Sequence, residues 1–354
     1  MKNIICTIIF DGAALNRDEK IGGNIQSIKK LNIDGSLKSF ISRQAVRHYL
    51  FNTLTKAYPD DWKPAKITGQ GNVAQFDITQ DDIFTSAELD TFGYMFTIEN
   101  EMSITRKAPV GITKAISIGN YNQDMAFYVN HDLVNRANQQ GIDITPNPFQ
   151  REEHNSLYKL SFTIDTQIFG KDVWIVKNEP RYDNNELTVE LAKSHIKIIK
   201  NVLKNGDYYE VKDANGVNSK TIGKIKIEKL SKDAYKITYE LADDIKKKRI
   251  KQILESIKNG LVSHSSGEDN TIVPLFMIAG EVTVPSPIFH SYIDLMDKKI
   301  IGINDCLNNS WLVCNNQNNN NLKLFIYCAE RLQVEFPKEE IIDDWNVFLN
   351  KIGL

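Results

Sequence analysis

The side chains best suited to chemistry lie in one basic, amide-rich segment, NRDEKIGGNIQSIKKLNIDGSLKSFISRQAVRHYLF, at residues 16–51. The chemistry is anion binding rather than bond making. Ser42, Arg43, Gln44 and Arg47 stand at the start of a helical pattern. A helix start presents unpaired backbone amides and the positive end of the helix dipole. Arg43 and Arg47, one turn apart, add forked cationic donors that suit phosphate. Ser42 and Gln44 add neutral donors. Upstream, Asn24 and Gln26 follow the pair Gly22-Gly23, and Lys29, Lys30 and Lys38 make the approach basic. Contacts of this kind hold a nucleic-acid backbone in register without reading its bases. For the two arginines taken alone, a surface helix with solvated cations explains the sequence equally well.

Two further clusters stay open. Arg106 and Lys107 precede the breakers Pro109 and Gly111. They read either as a projecting arm across a bound strand, with an apolar tip wedged between bases, or as an ordinary solvent loop. His264, Ser265, Ser266 and Gly267 come just before a late apolar strand. Small residues beside glycine let another backbone approach closely. They read either as a contact with RNA or a neighbouring subunit, or as a simple connection. Lys246, Lys247, Lys248, Arg249 and Lys251 read as a solvated helix face.

Catalytic chemistry finds little support. The histidines His48, His131, His154, His195, His264 and His290 show no metal-ligand spacing. There is no HExxH, GxSxG, Walker loop or GxGxxG. The pairs Asp60-Asp61, Asp81-Asp82 and Asp243-Asp244 read as solvated. Gly22-Gly23 lacks the helix that a phosphate cradle needs at once. The four cysteines are neither paired as CxxC nor placed near histidine at ligand spacing. Cys6 and Cys328 read as core thiols in a reducing compartment. The sequence thus implies no catalytic residue, no metal and no cofactor.

The elements that must position these residues follow from pattern. The chain has 354 residues, of which 42% are hydrophobic and 25% charged, enough for one large domain with insertions or two ordinary ones. Such a composition excludes wholesale disorder. A net charge of -2 requires any polyanion site to be a local stripe. The opening MKNIICTIIFDGA is too short for a signal peptide, and no run reaches membrane-spanning length. The expectation is a soluble cytoplasmic protein.

Residues 3–10 predict a buried strand, followed by a long loop over 11–41 with a short strand at 25–28. Ser42 predicts the N-cap of a helix that Pro59 stops. Val46, Leu50, Thr53 and Ala57 share one face, and Arg43, Gln44, Arg47 and His48 the other. Residues 91–105 predict a strand that becomes irregular. Residues 157–170 alternate as a half-buried strand. Residues 187–204 predict an amphipathic helix, 207–241 a strand meander, 242–261 a second long helix and 271–284 an apolar strand. NNQNNNN at 315–321 is low-complexity, and a strand and a helix close the chain. Antiparallel strands with helices on one face give an α+β sandwich with a ferredoxin-like core.

With these blocks laid out, the chain resembles the "seven" family of CRISPR-associated (Cas) proteins, in the DevR-type branch linked to type I-B systems. FISRQAVRHYLF matches the family's serine-x-glutamine-x-x-arginine helix. LDTFGYMF with RKAPVGITKAIS, then LYKLSFTID, then PLFMI, follow in the family's order over about residues 1–285. The resemblance implies one hand-shaped subunit. Its palm is a modified RNA-recognition-motif (ferredoxin-like) fold over about 1–58, 91–119 and 156–300. Finger and thumb insertions fall at about 59–90 and 120–155, with a C-terminal extension at 301–354.

The resemblance further implies a non-enzymatic backbone subunit of the Cascade complex in antiviral defence. Copies stack along guide RNA (crRNA), beside other Cascade subunits. Each thumb folds over a neighbour's RNA and flips a base at intervals, and the remaining bases pair with target DNA. Carried onto this chain, Ser42, Gln44 and Arg47 are RNA-backbone contacts, with Asn24 and Gln26 nearby. Arg43 fits by chemistry alone. Type III relatives cut RNA with an aspartate. Asp34 or Asp11 matches that role by position only, and the role is not carried over to a type I sequence. A DNA-binding autoregulator is the other alternative, and no helix-turn-helix pattern supports it.

Overall fold

The computed structural model describes residues 1–13, 17–20, 25–70, 73–98, 103–146, 148–192, 194–265, 268–313, 324–336 and 341–354. Its organising strand is β1 (Asn3–Ala13). The run NIICTIIF is apolar or β-branched at almost every position, so both strand faces require cover. β1 is buried from Asn3 to Phe10. It lies between two antiparallel partners, Asn155–Ile164 and Pro274–Val282, with Ile8 opposite both Leu160 and Met277. The sheet continues past the first partner through Ala115–Ser117 and Ser36–Ile41 to Lys30–Ile33. Past the second it continues through Leu324–Cys328 to Ile341–Ile342.

Alternation along β1 divides the cores. Ile4, Cys6, Ile8 and Phe10 face a helix layer, while Ile5 and Ile9 face the opposite cover. The helix layer consists of α1 (Arg43–Ala57), α4 (Asp243–Asn259) and α7 (Trp345–Lys351). These contribute Val46, Leu50 and Leu54, then Ile250, Ile253 and Ile257, then Phe348. The opposite cover includes α5 (Ile288–Tyr292) and α6 (Ile303–Leu307), with Phe289 and Cys306 at zero exposure. Burial pushes the Cys6 thiol up to about 12, as a core thiol requires.

A second body has its own core. A five-stranded sheet spans Lys171–Val176, Ala234–Leu241, Thr221–Ser231, Tyr208–Lys212 and Val202–Asn205 in that order. Beside it lie three strands, Arg181–Asp183, Glu186–Ala192 and His195–Ile199. Trp174, Val189, Ile237 and Tyr239 pack there with Ile78, Ile83, Leu89 and Phe96. The expected palm range 156–300 therefore spans both cores.

Several local expectations are corrected. In place of the helix expected at 187–204 stand the strands Glu186–Ala192, His195–Ile199 and Val202–Asn205. Leu187 and Val189 are buried between half-exposed neighbours, and Lys197 and Ile199 between exposed ones. That period of two, in a run rich in β-branched residues, outweighs the helical spacing of its leucines and isoleucines. The strand expected from residue 91 is preceded by α2 (Ala87–Phe92), which Ser86 caps through the Leu89 amide. α2 ends at Gly93, whose φ of 66° suits glycine and where a Cβ would clash with the Arg106 carbonyl. Residues 120–155, expected as an insertion, hold the strands Asp124–Tyr128 and Phe149–Glu153 around α3 (His131–Gln139). The loop expected at HSSGEDN is a hairpin of Leu261–Ser265 with Glu268–Ile272.

The two bodies meet at a buried carboxylate. Asp90, in α2, has no exposed surface. Its Oδ1 accepts from Arg106 Nη2 at 2.7 Å and from the Gly170 amide at 2.8 Å, and its Oδ2 accepts from Arg249 Nη1 at 2.9 Å. Arg106 also donates to the carbonyls of Leu89, Ile168 and Lys171, and Arg249 to that of Ile83. Removing one member of such a cluster strands buried charge. Asp90→Ala is expected to lower unfolding free energy by about 3–5 kcal/mol in denaturant titration. A loss below about 1 kcal/mol would show that the cluster is not a structural clasp.

Candidate nucleic-acid interface

Ser42 joins the strand Ser36–Ile41 to α1 in an extended conformation. Its hydroxyl accepts from the Ala45 amide at 3.3 Å, and its carbonyl accepts from Val46. The cap is the one that the sequence predicts. Val46, Leu50 and Leu54, all at zero exposure, anchor the helix, and Ala57 is exposed at its far end. Arg43 and Gln44 are exposed in the first turn. Their side chains therefore stand in solvent beside the positive end of the helix.

Arg47 is held more tightly. Its Nη2 lies 3.3 Å from Glu88 Oε1, and its guanidinium covers the Phe92 ring at 4.8 Å and the Phe76 ring at 5.9 Å. Burial lowers its pKa from the ordinary value, Glu88 opposes the shift and the charge of Arg43 adds to it. Burial raises the Glu88 carboxyl, against the Ala65 amide and Arg47. Arg47 thus braces the α1 start, while Arg43 is the outward cation. Glu88, Phe92 and Phe76 went unnoticed in the sequence. The signal that would pair residue 47 with residue 88 is spatial, not local.

The other expected site residues are scattered. Arg106 is corrected: it is 7% exposed and spends its guanidinium on Asp90 and surrounding carbonyls. The arm does not project either, because Val110 is buried opposite Ile164 in the main sheet. Lys107 alone of that pair is exposed. His264 is exposed, with Nδ1 2.8 Å from Asp269. Its hairpin packs on α1 where Thr53 accepts from the Val262 amide, roughly 16 Å along the axis from Ser42. The backbone of Ser265 pairs with Glu268, and that of Gln26 pairs in a small sheet beside Arg151. The side chains of both, and all of Asn24, lie outside the described residues. Asp11 is engaged by Arg331 at 3.0 Å, and Asp34 sits in a turn at φ 47°. Among the described residues, no three His, Cys, Asp or Glu side chains gather as a metal site would need.

These placements separate a structural arginine from a surface one. Arg106→Ala is expected to cost several kcal/mol of stability, and Arg43→Ala to stay within about 0.5 kcal/mol. Comparable denaturation midpoints for the two variants would contradict this assignment.

Comparison with known proteins then bears on the chain as a whole. No curated protein matches it. Two structures titled "CRISPR RNA-guided surveillance complex", the second "pre-nicking", are similar to it. Their identities are 8% and 7% and their TM-scores 0.46 and 0.48, with 99% of this chain and 98% of each of those chains covered. A chain of a "Type IV-B CRISPR Complex" is similar at 10% identity and TM-score 0.24, over 46% of this chain and 72% of that one. Likeness at these values assigns no role. The family model "CRISPR-associated negative auto-regulator DevR/Csa2" matches residues 4–301. The chain therefore belongs to the DevR/Csa2 family of CRISPR-associated proteins.

Proposed function

We propose that this chain is a guide-RNA-binding backbone subunit of a type I-B Cascade surveillance complex, acting without catalysis. The observation that carries this reading is the exposed pair Arg43 and Gln44 beside the half-buried Ser42 at the amide-rich start of α1, in a chain of a CRISPR-associated family. That ledge offers phosphate oxygens fixed amides, a cation and neutral donors, and offers bases nothing specific. A subunit that must accept any guide sequence needs this kind of contact.

The palm reading is supported by the strand order. Pro274–Val282, β1, Asn155–Ile164 and Ala115–Ser117 are neighbours, antiparallel where they pair, with α1 and α4 on one face. Read along the chain, this is strand, helix, strand, strand, helix, strand, the arrangement of an RNA-recognition motif. The second body and the strands around α3 are then the thumb and finger insertions. Partners on this reading are crRNA, target DNA through guide pairing, copies of the chain and other Cascade subunits. The protein acts in the cytoplasm; no helix among the described residues is long and apolar enough to cross a membrane.

The family description favours a second reading, a regulator that binds duplex DNA at one sequence. Among the described residues no two consecutive helices are joined by the three- or four-residue turn of a helix-turn-helix. Competition between single-stranded RNA and duplex DNA separates the two. The account predicts RNA affinity that is independent of sequence and falls steeply with salt. It predicts that Arg43→Ala weakens binding roughly tenfold, as loss of a charged hydrogen bond does. Undiminished affinity in a folded Arg43→Ala protein, or preference for one duplex sequence, contradicts it.

A further inference from the structure

The face of the main sheet turned away from α1 and α4 is covered only in part. Its cover reaches the strand Asn155–Ile164, where His290 Nδ1 lies 2.9 Å from Ser161 Oγ and Lys159 Nζ donates to the Ile293 carbonyl at 2.8 Å. On that same face, register places Ile116 beside Lys159 and Phe40 beside Ile116. The alternate residues Ser39 and Ile41 turn the other way. Ser39 bonds His154 and Tyr158, and Ile41 enters the helix-side core. Phe40 and Ile116 are half-buried and belong to none of the three apolar cores.

Cations frame this apolar floor. Lys114 is exposed, with Nζ 5.8 Å from the centre of the Phe40 ring. It forms no ion pair among the described residues. Lys38 is tied by its Nζ to the Ile118 carbonyl, leaving two further protons on that nitrogen. The strands Lys30–Ile33, Ser36–Ile41, Ala115–Ser117 and Asn155–Ile164 contain no Asp or Glu. On the cover, Asp294 lies beside Lys159, which is itself spent on Ile293. An aromatic ring with a free cation, on an acid-free face, suits a base and its phosphate better than a protein surface. Phe40 is two residues from Ser42, about 7 Å of extended chain.

We propose that the open sheet face centred on Phe40 stacks a base of single-stranded RNA, with Lys114 on the adjoining phosphate. This rests on the RNA-binding reading above and adds to it a second contact on the same strand. The test is fluorescence anisotropy of the full chain with a labelled oligouridylate, across a salt series. Phe40→Ala is expected to weaken binding roughly tenfold, as loss of one base stack does, and Phe40→Tyr to keep wild-type affinity. Lys114→Gln is expected to lower the salt slope by about 0.7. Circular dichroism checks the fold, and Lys114→Gln, a surface change, keeps the test valid if Phe40→Ala fails to fold. Wild-type affinity in folded Phe40→Ala, or an unchanged slope in Lys114→Gln, overturns this contact alone. A wild-type chain that binds no oligouridylate overturns it together with the RNA-binding reading. If Phe40→Ala alters self-association but not RNA affinity, the face belongs to a second copy and the proposal fails.

Discussion

A carboxylate with no exposed surface is costly to bury unless cations reach it, and two arginines from distant parts of the chain reach Asp90. Arg106 comes from the strand Ile104–Arg106, the second after α2, and Arg249 from α4. Each also donates to backbone carbonyls, so the guanidinium groups are themselves hydrogen-bonded. Its geometry fixes α2 against the helix layer. α2 in turn carries Glu88 and Phe92, which hold Arg47 from two sides. The attitude of the first turn of α1 thus depends on a buried charge cluster. A site made of two exposed side chains and backbone amides relies on such support, together with the Ser42 cap and the buried face of α1, to stay rigid.

The main sheet adds a second constraint. β1 is apolar on both faces and so must be central, which leaves the strands further out to carry the polar and half-exposed positions. Covering elements then decide where the sheet opens. They reach Ser161, Lys159 and Ile118, and the same face carries Phe40, Ile116 and Lys114 outside the three cores. Helix start and open face meet at one junction, the step from Ile41 through Ser42 into α1. The net charge of the chain says nothing about this place, because neither the strand Ser36–Ile41 nor α1 contains an acidic residue.

Local physics made part of this legible. The double-sided strand β1, the Ser42 cap, the apolar face of α1, the alternation at Asn155–Ile164 and the length of α4 all act over a few residues and were readable. So was the exposure of Arg43 and Gln44. What escaped was set by distance. Arg106 looks like a loop cation until Asp90 and four carbonyls surround it. Arg47 looks free until Glu88 and Phe92 arrive from elsewhere. The segment 187–204 has helical spacing of large apolar residues, and only its partners in the neighbouring strands show the period of two to be decisive.

The central claim is that single-stranded RNA runs over the junction of the Ser36–Ile41 strand and α1. Photo-crosslinking of 4-thiouridine-containing RNA to the full chain, with the joined peptides identified by mass spectrometry, tests it most directly. The account predicts crosslinks within the peptide that carries Phe40 to Arg47. Crosslinks confined to the second body, around the 171–241 strands, with none at that junction, would contradict it.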